Sequence, residues 1–237
     1  MRTVAIVQIR MGSTRLPKKN GPDFKLCGKP LTWHVLDRIK RSCCKDIIAA
    51  IPYEKDKDEL LDAIGGSVAT IVIPGNPADV VRRYFMVGAQ VGADIVIRIP
   101  GDNPCIDPDE IDRMIATYNE DPSRWNWLTT NLDRNVLGNG YPGGLGCEIY
   151  DFRFIKWMHE HLTDKRHREH PHLWSFEQQR IRTIQAPETI RRPELDFSVN
   201  TYADFEFIER IYKGLYPGNH HFTASDAIAW LDANPNR

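Results

Sequence analysis

The chain has 237 residues, of which 41% are hydrophobic and 27% charged; this is the make-up of a folded globular protein, long enough for one large α/β domain and short for two. Thirty-one Lys and Arg offset 32 Asp and Glu, so no global field favours nucleic acid or an anionic membrane, and phosphate recognition has to come from a local cluster of positive charge. No apolar run approaches the roughly 18 residues of a membrane span, and five cysteines without CxxC spacing point to thiols in a reducing cytoplasm rather than a zinc knuckle.

The opening MRTVAIVQIR has a short apolar stretch, interrupted by Gln8 and Arg10 and without a small-residue cleavage site, so it reads as a buried strand and not a signal peptide. Apolar runs rich in Val, Ile and Ala occur at residues 3–9, 46–51, 68–73 and 94–99, and the first three have the lengths of strands buried on both faces. Helical periodicity lies between them at 31–41, 55–64 and 78–91. A further helix is expected over 108–118: Asp107 is a good N-cap, Pro108 suits the first turn, and Glu110 can close a capping box. Its residues Ile111, Met114, Ile115 and Tyr118 share one face.

The second half is less regular. LGNGYPGGLG (137–146) carries five glycines and reads as a loop or tight hairpin leading into CEIY. A helix at 152–162 capped by Asp151, a short helix holding HREHPHLW, a strand at 182–185 and a last strand at 197–199 follow. Thr201 and Asp204 then form a capping box for a helix with core face Phe205, Ile208, Tyr212 and Leu215. Strands alternating with helices predict an α/β fold, a mostly parallel central sheet with helices on both faces. One domain is expected across residues 1–237, with an inserted arm over about 130–180 as lid or dimer contact. Such sheets bind ligands at the carboxyl ends of their strands, which singles out the loops 10–19 and 100–104.

In the first of these loops Gly12, Ser13 and Thr14 follow the strand, bracketed by Arg10, Arg15, Lys18 and Lys19. A triphosphate needs backbone N–H groups at close range and cationic side chains, and this loop offers both, although basic loops after strands are commonly just solvated. The run RMGSTRLPKK, with GKPLTWHVLDRIK, DVVRRY (79–84), ADIVIRIPGDNPCIDPDEID (93–112), YPGGLGCEIY (141–150), Arg168-Glu169-His170 and SVNTYADFEFI (198–208), resembles the signature of sugar cytidylyltransferases over most of the chain. That family includes the acylneuraminate and 3-deoxy-manno-octulosonate enzymes, and the similarity is strongest to the spore-coat polysaccharide biosynthesis type. The resemblance implies a Rossmann-like nucleotide-diphospho-sugar transferase fold and CMP transfer from CTP to a sugar acid or related polar acceptor, with release of pyrophosphate. It also implies Mg²⁺ as cofactor and a cytoplasmic homodimer. By matching position it assigns Arg10, Met11, Gly12, Ser13, Thr14, Arg15, Lys19, Arg98 and Gly101 to the nucleotide, and Arg15, Lys19 and Asp102 to catalysis. Lys18 stands where relatives usually carry Gly, and the linker 20–25 is longer than usual.

Asp102 directly follows the fourth strand, in PGDNP, where a carboxylate can hold Mg²⁺ against phosphate oxygens or simply shape a turn. Related enzymes supply a second carboxylate from the last strand; here that position is Asn200, a neutral oxygen donor. Asp204 is accounted for by the capping box, and Asp196 shares a strand face with Ser198 and Asn200. The resemblance assigns the acceptor side to Tyr141, Glu148, Arg168, Glu169 and His170.

Histidines 159, 161, 167, 170 and 172 crowd together, but there is no HExxH, and positions 159 and 161 point to different helix faces, so they read as solvated or acceptor-contacting. Gly138, Gly140 and Gly143 satisfy GxGxxG without the flanking strand and helix of a dinucleotide site, and no P-loop is present. Two alternatives stay open on the residues alone. One is a glycosyltransferase on the same fold, for which PGDNP supplies one Asp of a DxD-like pair. The other is a nucleotide-binding protein without catalysis, motivated by Asn200.

Overall fold

The computed structural model describes residues 1–120, 127–129 and 138–235; residues 130–137 of the expected arm, and the first residue of the glycine-rich loop, lie outside them. Strand β1 (Thr3–Gln8) pairs in parallel with β4 (Asp46–Pro52) on one side and β6 (Ile95–Pro100) on the other, and β5 (Ala69–Ile73) pairs in parallel with β4. Two short antiparallel pieces, β2 (Lys25–Leu26) and β3 (Lys29–Pro30), form a separate ribbon. Beyond β6 the sheet turns mixed: β8 (Glu148–Asp151) is antiparallel to both β6 and β7 (Trp127–Thr129), and β9 (Arg182–Thr183) is parallel to β7. The resulting order is β5-β4-β1-β6-β8-β7-β9.

Alternation along β1 explains its apolar continuity. Ala5 and Val7 enter one core with α1 (Leu31–Ile39), α2 (Lys57–Ile64), α4 (Pro108–Glu120), α8 (Tyr202–Leu215) and α9 (Ala224–Ala233). Val4 and Ile6 face the other core, with α3 (Val80–Val91) and α5 (Phe152–His161). Helices thus cover both faces, and no described helix is long and apolar enough to cross a membrane. The α/β class and mostly parallel arrangement agree with the pattern of the sequence.

Local chemistry places the helix starts. Asp79 caps α3 by accepting from Arg82 N at 3.0 Å, so that helix begins at Val80 rather than 78. Thr201–Asp204 closes the expected capping box on α8. The helix foreseen around HREHPHLW is two, α6 (Lys165–Glu169) and α7 (Pro171–Glu177), because Pro171 drives His170 out of the helical region (φ −124°, ψ 76°).

Two expectations give way. Glu110 does not close a capping box; its carboxylate binds Arg113 at 2.8 Å and the Tyr141 hydroxyl instead. Residues 197–199 are no strand, because they run between two loops rather than along a neighbouring strand. Phe197 N donates to Gly143 O and Val199 N to Asp102 O, each at 2.9 Å. The glycines of YPGGLG permit this approach: a Cβ on Gly144 (φ +78°) would lie 2.5 Å from Ser198 N.

Asp107 joins two helices. Its Oδ1 accepts from Asp109 N in α4 at 3.0 Å and its Oδ2 from Ala224 N in α9 at 2.7 Å, with the side chain buried. Asp107→Ala leaves both N–H groups unpaired, and equilibrium unfolding is expected to record a loss of about 2 kcal/mol. His34, buried against Tyr212 and bonded to Leu26 O, has its pKa lowered by burial from 6.5 to about 4. The unfolded chain therefore takes up a proton between pH 6.5 and 4 that the folded one refuses, so stability falls on acidification through that window. Melting curves at pH 7 and 5 should show this site contributing about 2 kcal/mol of loss, absent in His34→Gln.

Candidate active site

Parallel pairing sets Gln8, the last residue of β1, opposite Pro100, the last of β6, so the loops after the two strands emerge side by side. Between them opens a cleft of about 550 Å³. Gly101 lets the loops close up: its N–H donates to Gln8 O at 2.9 Å, and a Cβ there would lie 2.8 Å from that oxygen.

The loop after β1 is held by its own backbone. Met11 O accepts from Ser13 N (2.8 Å) and Lys18 N (3.3 Å), Ser13 Oγ accepts from Leu16 N, and Asn20 Nδ2 donates to Arg10 O at 2.8 Å. Lys18 adopts φ +61°, a left-handed conformation that suits glycine. Arg10, Gly12, Ser13, Thr14, Arg15 and Lys19 line the cleft with Arg98, Gly101, Asp102 and Asn200, so most of the sequence-selected nucleotide and metal residues come together. Met11 does not: its side chain is buried in the core, and it shapes the loop through its carbonyl.

Each cation of the lining already has a partner. Lys19, 7% exposed, donates to Asp102 Oδ2 at 2.5 Å and to Val199 O. Arg15 Nη2 donates to Asn200 Oδ1 at 2.8 Å. Asn200 Nδ2 in turn donates to Ser198 Oγ, and Ser198 Oγ–H to Asp196 Oδ1, so Asp196 supports Asn200 from behind and is not part of the cleft wall. Arg10 pairs with Glu169 Oε1 at 2.8 Å.

Of the five residues assigned to an acceptor, Glu169 and His170 line the cleft and the other three do not. Tyr141 is buried against Glu110 and Arg113, beyond reach of the cleft. Glu148 sits beneath the floor, where it receives Arg98 Nη1 at 2.5 Å and the Tyr150 hydroxyl at 2.5 Å. Both members of the Arg98–Glu148 pair are under a tenth exposed; burial alone would lower the Arg98 pKa, yet the carboxylate raises it. Arg168 is spent as a fastener: it donates to Asp79 Oδ2 at 2.9 Å and Leu162 O at 2.8 Å, tying α6 to the start of α3. Burial lowers the His170 pKa below 6.5, so its ring is neutral at pH 7.

Sequence reasoning missed Gln8, Asn20, Val80 and Pro100, which also line the cleft. A polar residue ending an otherwise apolar strand was the available signal for Gln8. No described group of three or more His, Cys, Asp or Glu gathers as a metal site, and the crowded histidines form none. Among the lining oxygens, Asp102 and Asn200 are hard donors of the kind Mg²⁺ takes alongside waters and substrate phosphates, with Lys19 and Arg15 now resting on them.

A model of cytidylyltransferases matches residues 4–139. The chain is 27% identical to the spore coat polysaccharide biosynthesis protein SpsF of Bacillus subtilis (strain 168), over 98% of this chain and 94% of that protein. Its fold is similar to the structure of a cytidylyltransferase from Leptospira borgpetersenii serovar Hardjo-bovis (strain JB197), with TM-score 0.86, 22% identity and coverage of 99% and 95% of the two chains. It is also similar to CMP:2-keto-3-deoxy-manno-octonic acid synthetase complexed with CTP, with TM-score 0.68, 18% identity and coverage of 90% and 99%. The chain belongs to the cytidylyltransferase family and is a CTP-dependent nucleotidyltransferase.

Proposed function

We propose that the protein transfers CMP from CTP to a hydroxyl of a sugar acid or related polar acceptor and releases pyrophosphate, as a step in polysaccharide or glycoconjugate synthesis. The observation that carries this reading is the loop of Arg10, Ser13, Arg15 and Lys19 facing Asp102 across one cleft, with Lys19 Nζ 2.5 Å from the carboxylate. The relative from Bacillus subtilis, named for spore coat polysaccharide biosynthesis, and the synthetase complexed with CTP support the substrate class by analogy.

In this reading the loop's N–H groups and cations hold the triphosphate, and Arg15 and Lys19 stabilise charge growing on the departing pyrophosphate. The acceptor hydroxyl attacks the α-phosphorus opposite that leaving group, aligned between Glu169, His170 and the floor around Arg98. Mg²⁺ would be held by Asp102 and Asn200 and would neutralise phosphate charge. Lys19 then exchanges its bond to Asp102 for a phosphate oxygen. The protein acts as one domain over residues 1–237, in a reducing cytoplasm and as a homodimer; the homodimer rests on the resemblance at residues 141–144, 148 and 168–170. A glycosyltransferase is less well supported, because Asp102 is the sole aspartate among the described lining residues.

Asp102→Ala is expected to abolish pyrophosphate release in a coupled assay; release at the wild-type rate would remove Asp102 from the metal and phosphate machinery. Lys19→Ala should weaken CTP binding by about 1–3 kcal/mol in calorimetry, with the fold intact by circular dichroism. A thermal-shift screen of all four nucleoside triphosphates should show Mg²⁺-dependent stabilisation greatest with CTP. Equal stabilisation by UTP would show that the cleft does not select the base.

A further inference from the structure

One ion pair joins the two walls of the cleft. Arg10, at the start of the phosphate loop, donates to Glu169 at the end of α6, and both side chains are 32% exposed. Glu169 is held in place from behind, because its neighbour Arg168 is fastened to Asp79 and to the carbonyls of His159 and Leu162. The Arg10 charge is also felt by the buried Arg83, whose pKa burial first and then Arg10 help to lower to about 10. Arg10 therefore interacts with a buried like charge as well as with a carboxylate. The other cations of the lining have partners of their own: Lys19 has Asp102, Arg98 has Glu148, and Arg15 has the neutral amide of Asn200.

A part-exposed pair of this kind is weak enough to be exchanged, and a phosphate is the stronger, bidentate partner for a guanidinium. We propose that Glu169 competes with the phosphates of the nucleotide for Arg10. The pair opens when CTP binds and closes again as pyrophosphate departs, so this carboxylate sets nucleotide affinity and speeds product release. The inference rests on the nucleotidyltransferase reading of the cleft. While the pair is open, Glu169 beside the neutral His170 presents oxygens to hydrogen-bond donors such as acceptor hydroxyls.

Calorimetric titration of CTP, inorganic pyrophosphate and cytidine, all with Mg²⁺, into wild type, Glu169→Gln, Arg10→Gln and the double variant tests this. Glu169→Gln should bind CTP and pyrophosphate about 5- to 30-fold more tightly. Cytidine affinity should be unchanged, and the gain should vanish in the Arg10→Gln background. Glu169→Asp, which keeps the charge, should gain less; a merely structural role would not produce that order. Unchanged or weaker CTP binding by Glu169→Gln, an equal gain for cytidine, or a gain that survives Arg10→Gln would overturn the proposal. Wild type binding neither CTP nor pyrophosphate would bring down the nucleotide reading with it, a result distinct from those three.

Discussion

The Lys19 ammonium and the Asp102 carboxylate, 2.5 Å apart, tie the loop after β1 to the loop after β6. An ammonium buried to this extent cannot stay uncompensated, so the contact constrains both loops at once. Lys19 also donates to Val199 O, and Val199 N donates to Asp102 O, so the segment from Asp196 to Asn200 is drawn into the same junction. Three stretches far apart in sequence thus meet at the carboxyl edge of the sheet. They can do so because parallel strands deliver their ends to one side, with Gln8 opposite Pro100.

Around that junction the cleft is cationic, yet its cations are already satisfied from within. Arg10, Arg15, Lys19 and Arg98 are matched by Glu169, Asn200, Asp102 and Glu148. The matches differ in how readily they break. Arg98–Glu148 is nearly dry and braced by Tyr150, and losing one partner of such a pair costs roughly 3–5 kcal/mol, so it acts as a fixed floor. Arg10–Glu169 faces solvent and is exchangeable. A ligand with several negative charges would meet a rigid cation below, at Arg98, and an adjustable one at Arg10.

The strands 3–9, 46–51 and 94–99 were legible to within one residue because a strand buried on both faces must be apolar throughout; 68–73 was equally legible, although β5 lies at the sheet edge and only its Ile73 is buried. The basic loop after β1 was legible as part of the cleft because its run of small and basic residues follows a strand end, where such sheets bind ligands, and because that run carries the family resemblance. The acceptor side was read less well. Tyr141, Glu148 and Arg168 are polar residues in promising stretches, but each is consumed by a partner distant in sequence: Glu110, Arg98 and Asp79 respectively. Nothing local distinguishes an arginine waiting for a ligand from one fastening a helix.

By itself the sequence determined the α/β alternation, the helix caps at Asp151 and Thr201, and the loop that carries positive charge, because these depend on periodicity and on groups within a few residues of each other. Tertiary structure alone decided which charges neutralise one another and which side chains reach the cleft. It also decided that residues 197–199 serve as a brace between loops rather than a strand. Burial and pairing are properties of what the rest of the chain brings alongside, and a buried charge takes whichever partner the fold supplies.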